Sequence, residues 1–212
     1  MKKYLVEFVG TFFLVLTVGL AVRSGSDLAP LAIGSVLACM IFAGGYVSGG
    51  HYNPAVSLGV LLRGKLDKKD FVPYVVAQLI GAVVAWFVVS TLVGAPPAGP
   101  AGREVVPSLI SEFVFTFALV WVVLSAATSK GNAGNSFFGL AIGFTLFVGV
   151  VAIGGISGGA LNPAVGLGVV LMGMENLSQL WVYLGAQVLG GIVAAMVFKV
   201  QDSGSQAEVV AG

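Results

Sequence analysis

The sequence predicts an all-α membrane protein in which six transmembrane helices and two re-entrant half-helices form an inverted repeat. Three observations carry that prediction. Hydrophobic residues make up 58% of the 212 residues and charged residues only 9%, against roughly 25% charged in an ordinary soluble domain. Six apolar stretches approach the length of about 20 residues that crosses a hydrocarbon core. The second half of the chain also repeats the landmarks of the first.

In chain order the expected spans are 4–22, 28–47, 71–93, 107–127, 137–154 and 177–198. Met1-Lys2-Lys3 followed by an apolar run resembles the start of a signal peptide. Glu7 within the run, and the lack of a small-residue cleavage site, make it a first span instead. Two further apolar pieces, 54–62 and 163–171, rise only roughly 14 Å at about 1.5 Å per residue and reach halfway across. Gly94-Ala-Pro-Pro-Ala-Gly-Pro-Ala-Gly102 cannot continue a helix. The expected organisation is therefore a first repeat at 1–93, a linker at 94–104, a second repeat at 105–200 and a polar, flexible tail at 201–212.

Charge sets an orientation and excludes a partner class. Lys2, Lys3, Arg63, Lys65, Lys68, Lys69, Lys130 and Lys199 fall on one side of the expected topology, against Arg23 and Arg103 on the other. By the positive-inside rule both termini are expected in the cytoplasm, and the expected location is the plasma (inner) membrane. A net charge of +1 gives no basic field for nucleic acid. The single cysteine, Cys39, has no partner for a disulfide or a metal and is read as a packing side chain.

The halves superpose on one another by residue type. Glu7 corresponds to Glu112, an offset of 105; Ser48-Gly-Gly-His-Tyr-Asn-Pro-Ala-Val56 corresponds to Ser157-Gly-Gly-Ala-Leu-Asn-Pro-Ala-Val165, and Gln78 to Gln187, both at 109. Three spans per half is odd, so the second half enters the membrane from the opposite side, and the interrupted segments mark the functional midplane.

Each half-helix opens on Asn then Pro: Asn53, Pro54 and Ala55 in the first half, Asn162, Pro163 and Ala164 in the second. Asn at the N-cap accepts from the free N–H groups of its own helix, which leaves its NH2 to donate into a lumen. The two positive helix ends meeting there repel cations. Of the 31 glycines, Gly49, Gly50, Gly158 and Gly159 let the backbone turn ahead of the half-helices. Most others lie within spans, where they permit close crossings.

With its two Asn-Pro-Ala boxes, the Ser-Gly-Gly before each, Glu-Phe-Val-Gly-Thr at 7–11 and Gln-Leu-Ile-Gly at 78–81, the chain resembles the aquaporin, or major intrinsic protein, family over residues 3–199. The resemblance implies a right-handed helical bundle and a homotetramer in the lipid bilayer, with one passive pore per subunit for water or small neutral solutes. It also implies no cofactor and no catalysis. Glu7 and Glu112 are expected to brace the re-entrant loops, since irregular backbone at membrane depth must be satisfied by protein, and Gln78 and Gln187 to bond between helices. His51 is read as a hydrogen-bonded structural group, with a pH gate as the competing role.

One departure from the family stands out. Most members place an arginine three residues after the second Asn; here the residue is Val165. The same carry-over puts Ile33, Val150 and Gly159 in the remaining filter positions. The implied ring has no charge and no side-chain donor, so it is wider but gives polar solutes little in exchange for their hydration. Glycerol-like solutes, hydrogen peroxide, ammonia and gases become candidate permeants. Two other functions compete: an ion-coupled secondary transporter, which needs coupling carboxylates at the midplane, and a membrane-junction protein, which needs larger loops.

Overall fold

The computed structural model describes residues 1–94 and 102–208. Most of the expected linker, 95–101, and the end of the expected tail, 209–212, lie outside the described residues. The described chain forms α1 (Lys2–Arg23), α2 (Ala29–Ser48), α3 (Pro54–Leu62), α4 (Lys68–Val93), α5 (Val105–Thr128), α6 (Phe138–Ser157), α7 (Pro163–Leu171) and α8 (Leu180–Glu208). Six of these are long and apolar enough to cross a membrane. The short ones, α3 and α7, have the limits expected of the half-helices.

Most ends shift by one to three residues from the sequence expectation, and the start of α4 and the end of α8 differ for a visible local reason. α4 starts at Lys68 rather than 71, and Asp70 in its first turn accepts hydrogen bonds from Lys3 and Tyr4 of α1, which pins that turn. α8 runs into the segment expected as a tail, to Glu208. Trp121 Nε1 donates to Gln201 Oε1 at 2.9 Å and Arg63 donates to Asp202 at 2.7 Å, so these residues are tied to α5 and to the end of α3. Cys39 is a correction: read from the sequence as a packing side chain, it is exposed on the outer face of the described bundle, on α2.

The packing follows the repeat. α1 pairs with α4 as α5 pairs with α8, and α2 meets α6 across the boundary between halves. Glycine sets these distances. A Cβ on Gly81 would stand 2.7 Å from the Phe8 carbonyl oxygen, and one on Gly190 would stand 2.7 Å from that of Phe113. At the α2–α6 crossing, a Cβ on Gly34 would lie 2.5 Å from the oxygen of Gly143. Lipid tails are as apolar as the helix surfaces, so close backbone approach of this kind, rather than the hydrophobic effect, holds such helices together.

The half-helices exchange partners. α3, from the first repeat, packs on α8 and α5 of the second, while α7 packs on α4 and α1 of the first. Their N-termini therefore meet near the centre of the bundle, inside a shell that includes Leu14, Val56, Val120 and Val165.

Candidate functional site

The two N-termini are built alike. Asn53 has φ −157° and ψ 121°, Asn162 has φ −158° and ψ 118°, and the extended backbone of each turns directly into helix. Asn53 Oδ1 accepts from the Ala55 and Val56 amides at 2.9 and 3.4 Å. Asn162 Oδ1 accepts from Ala164 and Val165 at 2.9 and 3.5 Å. Proline at the next position has no N–H to orphan.

The side-chain NH2 groups differ from the sequence expectation of two free donors. Asn53 Nδ2 donates to the carbonyl of Leu161 at 2.9 Å and Asn162 Nδ2 to that of Tyr52 at 2.8 Å. One hydrogen of each amide is thus spent across the repeat, and the other is left over.

Tyr52 and Leu161, whose carbonyls accept those bonds, have φ of 49° and 50°, the left-handed region rare for residues with a Cβ. Such a conformation costs of order 1–3 kcal/mol and persists only when it is over-determined. Here it is held from both sides. The Tyr52 amide donates to Glu7 at 2.7 Å and the Leu161 amide to Glu112 at 2.8 Å, while the asparagine of the opposite half takes each carbonyl.

Each glutamate accepts four hydrogen bonds. Glu7 takes them from Ser48 Oγ, the amides of His51 and Tyr52, and Gln78 Nε2, at 2.7 to 3.0 Å. Glu112 takes them from Ser157 Oγ, the amides of Ala160 and Leu161, and Gln187 Nε2, at 2.7 to 2.9 Å. Both glutamates are fully buried. A tyrosine completes each set: the hydroxyl of Tyr74 donates to the Ser48 carbonyl at 2.7 Å and that of Tyr183 to the Ser157 carbonyl at 2.6 Å. The tyrosines escaped the sequence reading, although their spacing of 109 matches that of the asparagines.

The halves are not identical. His51 Nδ1 lies 3.1 Å from Ser57 Oγ, which also accepts from Gln78 at 2.9 Å. The corresponding residues in the second half are Ala160 and Gly166, so this polar cluster exists at one end only. His51 also stacks obliquely beside Tyr74, with ring centroids 5.2 Å apart.

A cavity of about 540 Å³ follows the bundle interior. His51 and Gly50 line it at one end, Arg103 and Glu175 at the other, and both Asn53 and Asn162 face it between them. Ile33, Val150, Gly159 and Val165 all line this same cavity, whereas Glu7, Glu112, Gln78 and Gln187 do not.

Arg103 and Glu175 were not foreseen. Arg103 Nε donates to Glu175 Oε1 at 2.7 Å, Nη2 lies 2.6 Å from the same oxygen, and Nη1 donates to the Gly155 carbonyl at 3.2 Å. Hydrogen bonding to Glu175 holds the guanidinium above the ordinary arginine range, so it is permanently charged. The two residues are 72 positions apart in no recognisable motif, and no sequence signal pairs them.

Comparison with known proteins identifies the family and the fold. Residues 1–198 match the Major intrinsic protein family. The chain is 38% identical to "Glycerol uptake facilitator protein-like 6" of Lactiplantibacillus plantarum, over 96% of this chain and 99% of that one. It is 33% identical to "Aquaporin Z" of Brucella melitensis, over 94% and 97% of the two chains. The fold is that of the aquaglyceroporin from Plasmodium falciparum, with a TM-score of 0.76 at 23% identity, over 93% of this chain and 94% of that one. The chain belongs to the major intrinsic protein family, the membrane channels for water and small neutral solutes.

Proposed function

We propose that this protein is a passive pore passing glycerol-like neutral solutes as well as water, with Ile33, Val150, Gly159 and Val165 as its selective ring. The observation that carries this reading is the one cavity that holds both half-helix asparagines and all four ring positions. Val165, in place of the arginine usual in the family, leaves a ring of apolar walls with no positive side chain. That favours width over tight selection of water. The name of the Lactiplantibacillus plantarum relative, a glycerol uptake facilitator, points the same way.

Asn53 and Asn162 act as midplane donors, each with the hydrogen not spent on the other half. Their helix ends carry roughly half a positive charge each and disfavour cations there. Glu7 and Glu112, with Gln78 and Gln187, brace the loops from outside the lumen. The His51 end faces the cytoplasm together with both termini, as the lysine distribution argues, and the Arg103 end faces outward. The subunits assemble as a homotetramer with one pore each, in the plasma (inner) membrane. Large apolar side chains such as Phe87, Phe144 and Val151, exposed on the bundle, suit contact with lipid or with a neighbouring copy.

Stopped-flow shrinking and reswelling of proteoliposomes under glycerol, urea and impermeant gradients tests this. Expected are water and glycerol permeabilities above those of protein-free vesicles, with a low temperature dependence. Fast water flux with glycerol at the protein-free rate would overturn the wide-pore reading.

A further inference from the structure

The ring at Ile33, Val150, Gly159 and Val165 offers no side-chain hydrogen bond, yet the cavity contains a charged, hydrogen-bonding pair immediately beyond it. Arg103 and Glu175 both line the cavity at one end. The carboxylate lies against the turn before α7: a Cβ on Gly158 would stand 2.9 Å from Glu175 Oε1. Gly158 is the neighbour of the ring residue Gly159, so the two loop residues Arg103 and Glu175 are folded in beside the ring. The guanidinium is fixed at three points, twice on Glu175 and once on the Gly155 carbonyl. Of its five N–H groups, two have no partner among the described residues, and Glu175 Oε2 likewise accepts nothing there. The pair therefore keeps both donor and acceptor capacity. Arg23, the other cation at this end, is bonded instead to the carbonyls of Val93 and Gly94 where α4 ends.

We propose that Arg103, positioned by Glu175, is a specificity-determining residue of this pore, supplying from the segment between the repeats the hydrogen-bonding arginine that position 165 lacks. Its ligands are neutral polyhydroxylated solutes, whose hydroxyls exchange water for the free N–H groups and Oε2 as they enter the apolar ring. Because the charge of Arg103 is matched by Glu175, the pair selects by shape and hydrogen bonding more than by field. The guanidinium also lines the mouth, so shortening it leaves more width for a solute bulkier than glycerol. The inference rests on the pore reading above.

The test is the ratio of glycerol to xylitol permeability in proteoliposomes containing the full chain, for the parent, Arg103→Ala, Arg103→Lys and Glu175→Gln. In Arg103→Ala glycerol loses a donor while xylitol gains width, and the ratio is expected to fall about tenfold, the equivalent of roughly one charge-assisted hydrogen bond. Arg103→Lys keeps the charge without the fork and should recover part of the ratio. Glu175→Gln loosens the guanidinium and should shift the ratio the same way by less. A role confined to holding the structure together would reduce assembled protein and scale both permeabilities down, leaving the ratio at the parental value. That result in Arg103→Ala, or in Arg103→Lys and Glu175→Gln should the alanine variant fail to assemble, overturns the proposal. A parent that conducts neither solute overturns the pore reading instead.

Discussion

At the scale of single residues, two buried glutamates hold the loops at the centre of the bundle, and the proposed ring turns on Val165. Glu112 satisfies four donors with two oxygens, and two of those donors are backbone amides in a turn containing the positive-φ residue Leu161. Glu112→Gln places an NH2 where one oxygen stood and sets it against existing donors. A hydrogen bond to a charged group contributes about 1.5–3 kcal/mol, so one or two lost bonds cost about 3 kcal/mol. The expected outcome is a lower yield of assembled protein and a lower melting temperature by light-scattering or fluorescence assays. Solute preference should remain that of the parent, because Glu112 does not line the cavity. A variant that assembles normally but changes its permeant would place the carboxylate in the lumen. Val165→Arg asks the converse question. The valine is buried to 5% exposure and lines the cavity, and a guanidinium there adds bulk and up to five donors. Water flux should persist, whereas glycerol flux should fall about tenfold, or roughly 1.4 kcal/mol of added barrier. Unchanged permeabilities in correctly assembled protein would show that position 165 is not at the constriction.

At the scale of elements, the half-helices are the device on which everything else depends. Each is nine residues long, too short to span, so its N-terminus is necessarily delivered to mid-membrane. The fold must then satisfy, with protein groups, the irregular backbone that faces away from the cavity. Asn162→Asp tests the electrostatic side of this arrangement. It sets a negative charge at a positive helix end and should raise cation conductance in bilayer recordings. The exchange also removes the donation to the Tyr52 carbonyl and turns an oxygen toward it, so loss of stability is expected as well. Asn53→Asp, which loses the equivalent bond to Leu161, should behave alike. Absence of added conductance in both folded variants would count against a lumenal placement of the asparagines. These elements were legible in the sequence because Asn-Pro-Ala is a local signal: cap, fixed φ and small residue occur consecutively, and twice. What surrounds them was not. The positive φ of Tyr52 and Leu161 is imposed by Glu7 and Glu112 from distant helices, and nothing in a tyrosine or leucine announces it. Cys39 was misplaced for a related reason, since in a span apolar on all sides periodicity does not distinguish the face that meets its own bundle from the face that does not.

At the scale of the whole molecule, the inverted repeat raises the one serious alternative, a coupled transporter, because transporters share this architecture. Coupling requires an ionisable or ion-binding group that the substrate path reaches in one state and not in another. Among the described residues four carboxylates are buried: Asp70 is held by Lys3 and Tyr4 at the start of α4, Glu175 is paired with Arg103 at one end of the cavity, and the two at the centre of the bundle are committed to their own loops. Glu7 and Glu112 each accept four hydrogen bonds and neither lines the cavity. Alternating access also needs one repeat to rock against the other. Here each half-helix is packed into the opposite repeat, and the two asparagines clamp the strained residues across the boundary. Separating the repeats would break both clamps at once and release the positive φ of Tyr52 and Leu161 that they help to hold. The expected behaviour is strict equilibration. Radiolabelled glycerol should enter proteoliposomes only until the internal and external concentrations are equal, at a rate unaffected by imposed proton or sodium gradients or by collapsing them with ionophores. Accumulation above the external concentration, or a rate that follows an ion gradient, would mean that the repeats move and that an ion is bound or released during transport.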